Sequence, residues 1–144
     1  MTTLNLGVID LHYADAGADS HTTGDVAEIL EAEYGVMETF WGKYGQEVGD
    51  EMAQAYVGAL EALHAGHVMR DPLGQVTTGI ERRFKQFLTN KEMDGLRPGV
   101  PTQASLDGKS KRFKKQNKKR GPRPSFVDSG LYRSSFKTWF DHNG

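Results

Sequence analysis

Residues 126–144 read FVDSGLYRSSFKTWFDHNG, and four large aromatics recur there behind an aspartate and a glycine. Tyr132, Phe136, Trp139 and Phe140 stand at helical spacing and define one apolar face. Asp128 is a good N-cap residue. Val127 and Tyr132 occupy the two positions of a hydrophobic staple, and Gly130 completes the cap motif. The pattern predicts a terminal helix of about three turns, roughly 18 Å long at about 1.5 Å per residue. A helix that short is marginal by itself and must dock on something. The fold is therefore sought upstream, in what that aromatic face packs against.

Working back toward the amino terminus, Ile80, Phe84, Phe87 and Leu88 recur with helical period while Arg82, Arg83 and Lys85 face away. Thr78 and Glu81 have the spacing of a capping box at the start of that helix. The preceding DPLG reads as a turn. Before it, Val48, Met52, Tyr56, Leu60 and Leu63 share one face of a helix that Gly66 is placed to terminate in the left-handed conformation. Earlier still, Val26, Ile29, Leu30, Tyr34, Met37, Phe40, Trp41 and Tyr44 follow helical spacing, with a break expected at Gly35, Gly42 or Gly45. Thr22 or Thr23 caps it, after a loop of small and polar residues. The apolar residues from Leu4 to Tyr13 alternate in part, which favours a short strand or extended arm.

Between 94 and 125 helical periodicity lapses, because the segment holds eight glycines and prolines (Gly95, Pro98, Gly99, Pro101, Gly108, Gly121, Pro122 and Pro124) with few large apolar residues. The expectation is a long loop that leaves the core, and loops of that length are usually functional or ordered by a partner. Residues 109–126 carry nine Lys or Arg and no acid. The whole chain has a formal charge of −1, yet residues 1–66 hold twelve acids against Lys43 alone, and residues 67–144 hold seventeen bases against seven acids. The halves balance at −11 and +10. Such sorting suits contact between copies, and it equally suits contact between the basic half and phosphate.

The expected architecture is mainly helical α+β: an arm or strand over 1–23, a helical core over 24–93, an extended basic loop over 94–125 and a capped helix over 126–144. A chain of 144 residues without cysteine forms no disulfide, thiolate metal site or cysteine nucleophile, so packing and assembly must stabilise it. No apolar run is long enough to span a bilayer, and the amino terminus lacks a secretory pattern. His64 and His67 could share a metal, but nothing completes the shell, and polar residues near a helix C-terminus commonly serve its carbonyls. Glu28, Glu31, Glu33 and Glu38 fall mainly on the wet face, which argues against a catalytic carboxylate pair. There is no nucleophile elbow, phosphate-binding glycine loop or dinucleotide fingerprint. No enzymatic activity, metal or cofactor is expected.

The stretch 125–136, SFVDSGLYRSSF, resembles tail-completion and virion-morphogenesis proteins of tailed bacteriophages, in which a Pro-rich approach leads to an Asp-Thr-Gly turn and a helix with Leu, Arg and Ser at set offsets. Asp128, Gly130, Arg133 and Ser135 match that pattern, Ser129 stands for the usual Thr, and Tyr132 takes a position that is often Leu. Many such proteins continue into strands beyond this helix, whereas this sequence stops at Gly144. Further segments, TTGDVAEILEAEYGVMETFW and RFKQFLTNKEMDGLRPGVPTQASLDG, extend the likeness through most of the chain.

The resemblance implies a structural virion protein at the head–tail joint or completed tail, assembled in the host cytoplasm. Its implied partners are further copies of itself in a ring, other neck or tail proteins, and genomic DNA in the channel, with no membrane. On this reading Arg112, Lys114, Lys115 and Arg120 make polar or phosphate contacts, and Tyr132, Phe136 and Trp139 anchor apolar ones. The competing expectation is a nucleic-acid-binding accessory protein whose basic loop wraps DNA; with only Phe113 nearby for stacking, its binding would be sequence-blind. A third is an assembly chaperone absent from the finished particle.

Overall fold

A computed structural model describes residues 2–13, 21–108, 121–127 and 130–142. The elements are β1 (Thr2–Val8), α1 (Thr23–Tyr34), α2 (Val36–His64), α3 (Gly74–Thr89), α4 (Gln103–Leu106), α5 (Leu131–Ser135) and β2 (Phe136–His142). This is a mainly helical α+β domain with one antiparallel two-stranded sheet.

The first helical run breaks at Gly35, whose φ of 58° lies in the left-handed region that glycine enters without a Cβ penalty. Thr22 caps α1 in a reciprocal box with Asp25. Glu31, near the end of α1, then reaches forward and accepts the backbone N–H groups of Met37 at 2.7 Å and Glu38 at 3.0 Å. A carboxylate thus occupies the positive end of α2, whose N-cap Gly35 offers no side chain.

Gly42 and Gly45 do not interrupt the chain, and the two apolar runs merge into one helix of 29 residues, about 44 Å long. Each interior glycine costs up to about 1 kcal/mol of helix propensity. Burial of Phe40 and Val48, on either side of these glycines, in the core outweighs it. Gly66, at φ 85°, ends α2: its N–H donates to Leu63 O and that of His67 donates to Ala62 O, the paired bonds of a left-handed helix stop.

α3 starts at Gly74, four residues before the capping box expected at Thr78, and Leu73 supplies no side-chain cap. Thr78 instead donates back to Gly74 O within the helix, which frees Glu81 for a tertiary contact. Glu81 accepts the Thr138 backbone N–H and the Lys137 ammonium, each at 3.1 Å, and so pins β2 along α3.

The terminal helix expected over the aromatics is corrected: α5 has five residues, and Phe136, at φ −60° and ψ 131°, turns the chain into β2. The segment FKTWFDH also alternates, with Phe136, Thr138 and Phe140 facing inward between Lys137, Trp139 and Asp141. Aromatic and β-branched residues suit a strand. The distant partner tips the balance, since β1 pairs antiparallel from Val8 opposite Phe136 to Thr2 opposite His142. Asp128, the expected cap, lies outside the described residues, and Gly130 at φ 80° stands as N-cap of α5 without a side-chain bond.

Residues 94–108 also depart from the open loop expected there. Val100 is buried, and the short α4 is capped by Thr102. Ser105 and Ser125 hydroxyls meet at 3.1 Å, Thr102 N–H donates to Ser125 Oγ, and Arg123 N–H donates to Ser105 O. These bonds tie the chain before the basic segment to the chain after it.

The core forms where α2, α3 and β2 converge. Phe84 and Phe136 stack at 3.8 Å with planes 14° apart, while Phe40 meets Phe84 edge-on at 5.2 Å and Phe87 at 5.5 Å. Interlocking rings of this kind are each worth about 0.5–1.5 kcal/mol beyond their area burial.

Candidate assembly surfaces

Arg112, Lys114, Lys115 and Arg120 lie outside the described residues. The three aromatics expected to anchor an apolar interface separate. Tyr132 is 4% exposed and Phe136 fully buried, so both belong to this chain's own core and present no anchor to a partner. Helical spacing had put them on one face with Trp139; the strand puts Phe136 and Trp139 on opposite faces. Trp139 is 45% exposed and lies on the outer face of the sheet across Gly7. A Cβ at Gly7 would sit 2.9 Å from Trp139 Cη2, so the indole needs glycine beneath it.

Burial holds the Tyr132 phenol well above its ordinary 10, and the negative charge of Glu31 adds to the effect. The phenol is a neutral packing group at physiological pH.

A surface that the sequence placed in the core lies at the far end of α2. The face beginning with buried Val48 runs through Met52 and Tyr56 to Leu60, which is 66% exposed, and Leu63. Val57 beside it, and Val68 and Met69 just after the helix, are exposed as well. Together they form an apolar end to the molecule, of the kind that usually marks an interaction site. The helical period was legible, but the point at which packing partners run out was not: α3 has 16 residues against 29 in α2.

The charged side chains between α2 and α3 pair with one another in ways that suit structure, although Arg83 Nη1 is buried without a hydrogen-bond partner among the described residues. Arg83 donates to Glu51 at 2.6 Å, approaches Glu47 at 3.9 Å and lies over the Tyr44 ring. That bond to Glu51 raises the guanidinium's affinity for its proton. Tyr44 donates to Glu92, and Lys43 pairs with the same carboxylate at 3.3 Å. On the other side, Arg97 bonds Glu38 and Thr39. Two of the four acids read as wet-face residues, Glu31 and Glu38, therefore hold the start of α2 in place. Among the described residues no three His, Cys, Asp or Glu side chains gather to hold a metal, and no helix is long and apolar enough to cross a membrane.

Fold and surface together define a small helical α+β domain with an exposed apolar end and charge sorted along its sequence. No family model, curated protein or solved structure matches the chain.

Proposed function

We propose that this protein is a structural subunit of a tailed-phage particle, acting in several copies at the head–tail joint or tail end, and that it performs no chemistry. The observation that carries the reading is the exposed apolar set Val57, Leu60, Leu63, Val68 and Met69 at the end of α2 and just beyond it. Exposure of so many large aliphatic side chains is unfavourable by roughly 25 cal/mol per Å² and is relieved by burial in an assembly. Charge sorted −11 against +10 between the two halves of the sequence supports head-to-tail contact, in which one face meets the opposite face of the next copy. The phage setting rests on the resemblance carried by Gly130, Arg133, Ser135 and their neighbours.

Sedimentation of the purified chain over a wide concentration range is expected to show reversible self-association, and mass spectrometry of purified particles to find the protein in them. A chain that stays monomeric throughout and is absent from particles overturns the reading. The second reading, a DNA-binding accessory protein, draws on the eight Lys and Arg of residues 109–120. Tight binding to duplex DNA that weakens steeply with salt would favour it over assembly.

A further inference from the structure

The ladder leaves β1 with an open edge. Ile9 N–H donates inward to Ser135 O, while Thr138 N–H points away from β1 to Glu81. In an antiparallel pair the inward and outward groups alternate, so Leu4, Leu6 and Val8 direct their backbone N–H and C=O away from β2. Among the described residues nothing takes up those groups, whereas the outer edge of β2 is occupied by α3 through Glu81. β1 reads TTLNLGV, with no lysine, proline or bulge of the kind that protects free edges.

Beside this edge runs an open groove of about 470 Å³ between the end of β1 and α1. Val8 and Ala27 give it an apolar floor, and among the described residues Asp10, Asp25, Glu28 and Glu31 are the charged side chains that line it. Backbone amides satisfy Asp10, Asp25 and Glu31, but among the described residues no Lys or Arg pairs with any of the four. Hydrogen bonds from Thr22 and Gly24 hold the Asp10 carboxyl below its ordinary 3.8, so it is charged at neutral pH.

We infer that the β1 edge and this groove together receive the lysine-rich sequence 109–120 of a second copy. The inference rests on the self-assembly reading above. Charge selects the occupant: that segment has eight bases and no acid, whereas pairing β1 with another β1 would bring together two halves of −11 each. Reach permits it. The bonds joining Ser105 to Arg123 and Ser125 hold together the described chain before and after the segment, and a chain of about seven residues out and seven back can extend roughly 23 Å from that staple.

The sequence lacks cysteine, so single thiols can report contact between copies. Glu28→Cys in one preparation and Lys115→Cys in another are mixed under mild oxidation. The expected result is a disulfide between the two variants, suppressed by high salt, together with slower hydrogen exchange at the Leu4, Leu6 and Val8 amides in the assembled full-length protein. Glu28→Lys, with unchanged circular dichroism, is expected to weaken self-association at least tenfold. Assembly without the mixed disulfide and without slower exchange at those amides overturns this inference while sparing the assembly reading. A linkage that forms only when both cysteines are in one chain also overturns it, in favour of the chain's own segment. Slower exchange with no effect of Glu28→Lys overturns it in favour of β1 pairing with β1. A strictly monomeric wild-type chain overturns both readings.

Discussion

Tyr132 shows how one residue's environment replaces its sequence-level role. As an aromatic on an apparent terminal helix it reads as an anchor, yet its ring packs edge-on against Phe84 at 6.3 Å and its phenol is buried. Because the folded pKa is raised, the native state keeps a proton that the unfolded chain releases above about 10. The stabilising preference is fully present below pH 10 and is lost as pH climbs from there toward the folded value. Tyr132→Phe is expected to flatten the alkaline decline of stability by about 1 kcal/mol between pH 10 and 11, since each pKa unit corresponds to about 1.4 kcal/mol. Urea denaturation midpoints of the two proteins at pH 9, 10 and 11 check this; parallel declines would count against a neutral buried phenol.

At the scale of elements, the glycines of α1 and α2 divide by conformation. Gly35 sits at φ 58°, and a Cβ there would lie 2.9 Å from Glu38 Oε2 and 3.2 Å from Arg97 Nη2. Gly42 has ordinary helical geometry and open space around its Cβ position. Gly42→Ala is expected to stabilise the fold by about 0.5–1 kcal/mol, and Gly35→Ala to destabilise it by at least about 1 kcal/mol. Thermal unfolding of both variants measures the contrast, and a destabilising Gly42→Ala would mean that this position serves something other than the helix.

Helix-level patterns were legible where local chemistry is sufficient. Thr22 as a cap, a break among the three named glycines and Gly66 as a terminator all follow from backbone preferences within a few residues. β2 was not legible in this way. Its residues satisfy both a 3.6-residue and a two-residue period over a short run, and the choice depends on β1, more than a hundred residues away. Glu81 likewise reads as a cap and acts as an acceptor for β2, because α3 begins a turn earlier than its cap signals suggest.

For the whole molecule, the consequence of a long α2 beside a shorter α3 is a helix end whose apolar face finds no cover among the described residues. Replacing Leu60 and Leu63 together by Asp removes that face without touching the core, so helical content and unfolding midpoint should change little. Self-association should fall at least tenfold, as read by sedimentation. If the double variant assembled like the wild type, the α2 end would have no part in the contact.

Sequence by itself determined the helical periodicity of α1, α2 and α3, the Thr22 cap, the Gly66 stop, the absence of cysteine cross-links and the separation of negative from positive charge, because each depends on residue type and short-range spacing. Tertiary structure alone decided that the last aromatics form a strand, that Tyr132 and Phe136 are core, that the far end of α2 is surface and that one edge of β1 stays unpaired among the described residues. Those outcomes turn on which distant elements are long enough and close enough to cover one another, and burial and strand pairing are properties of that encounter.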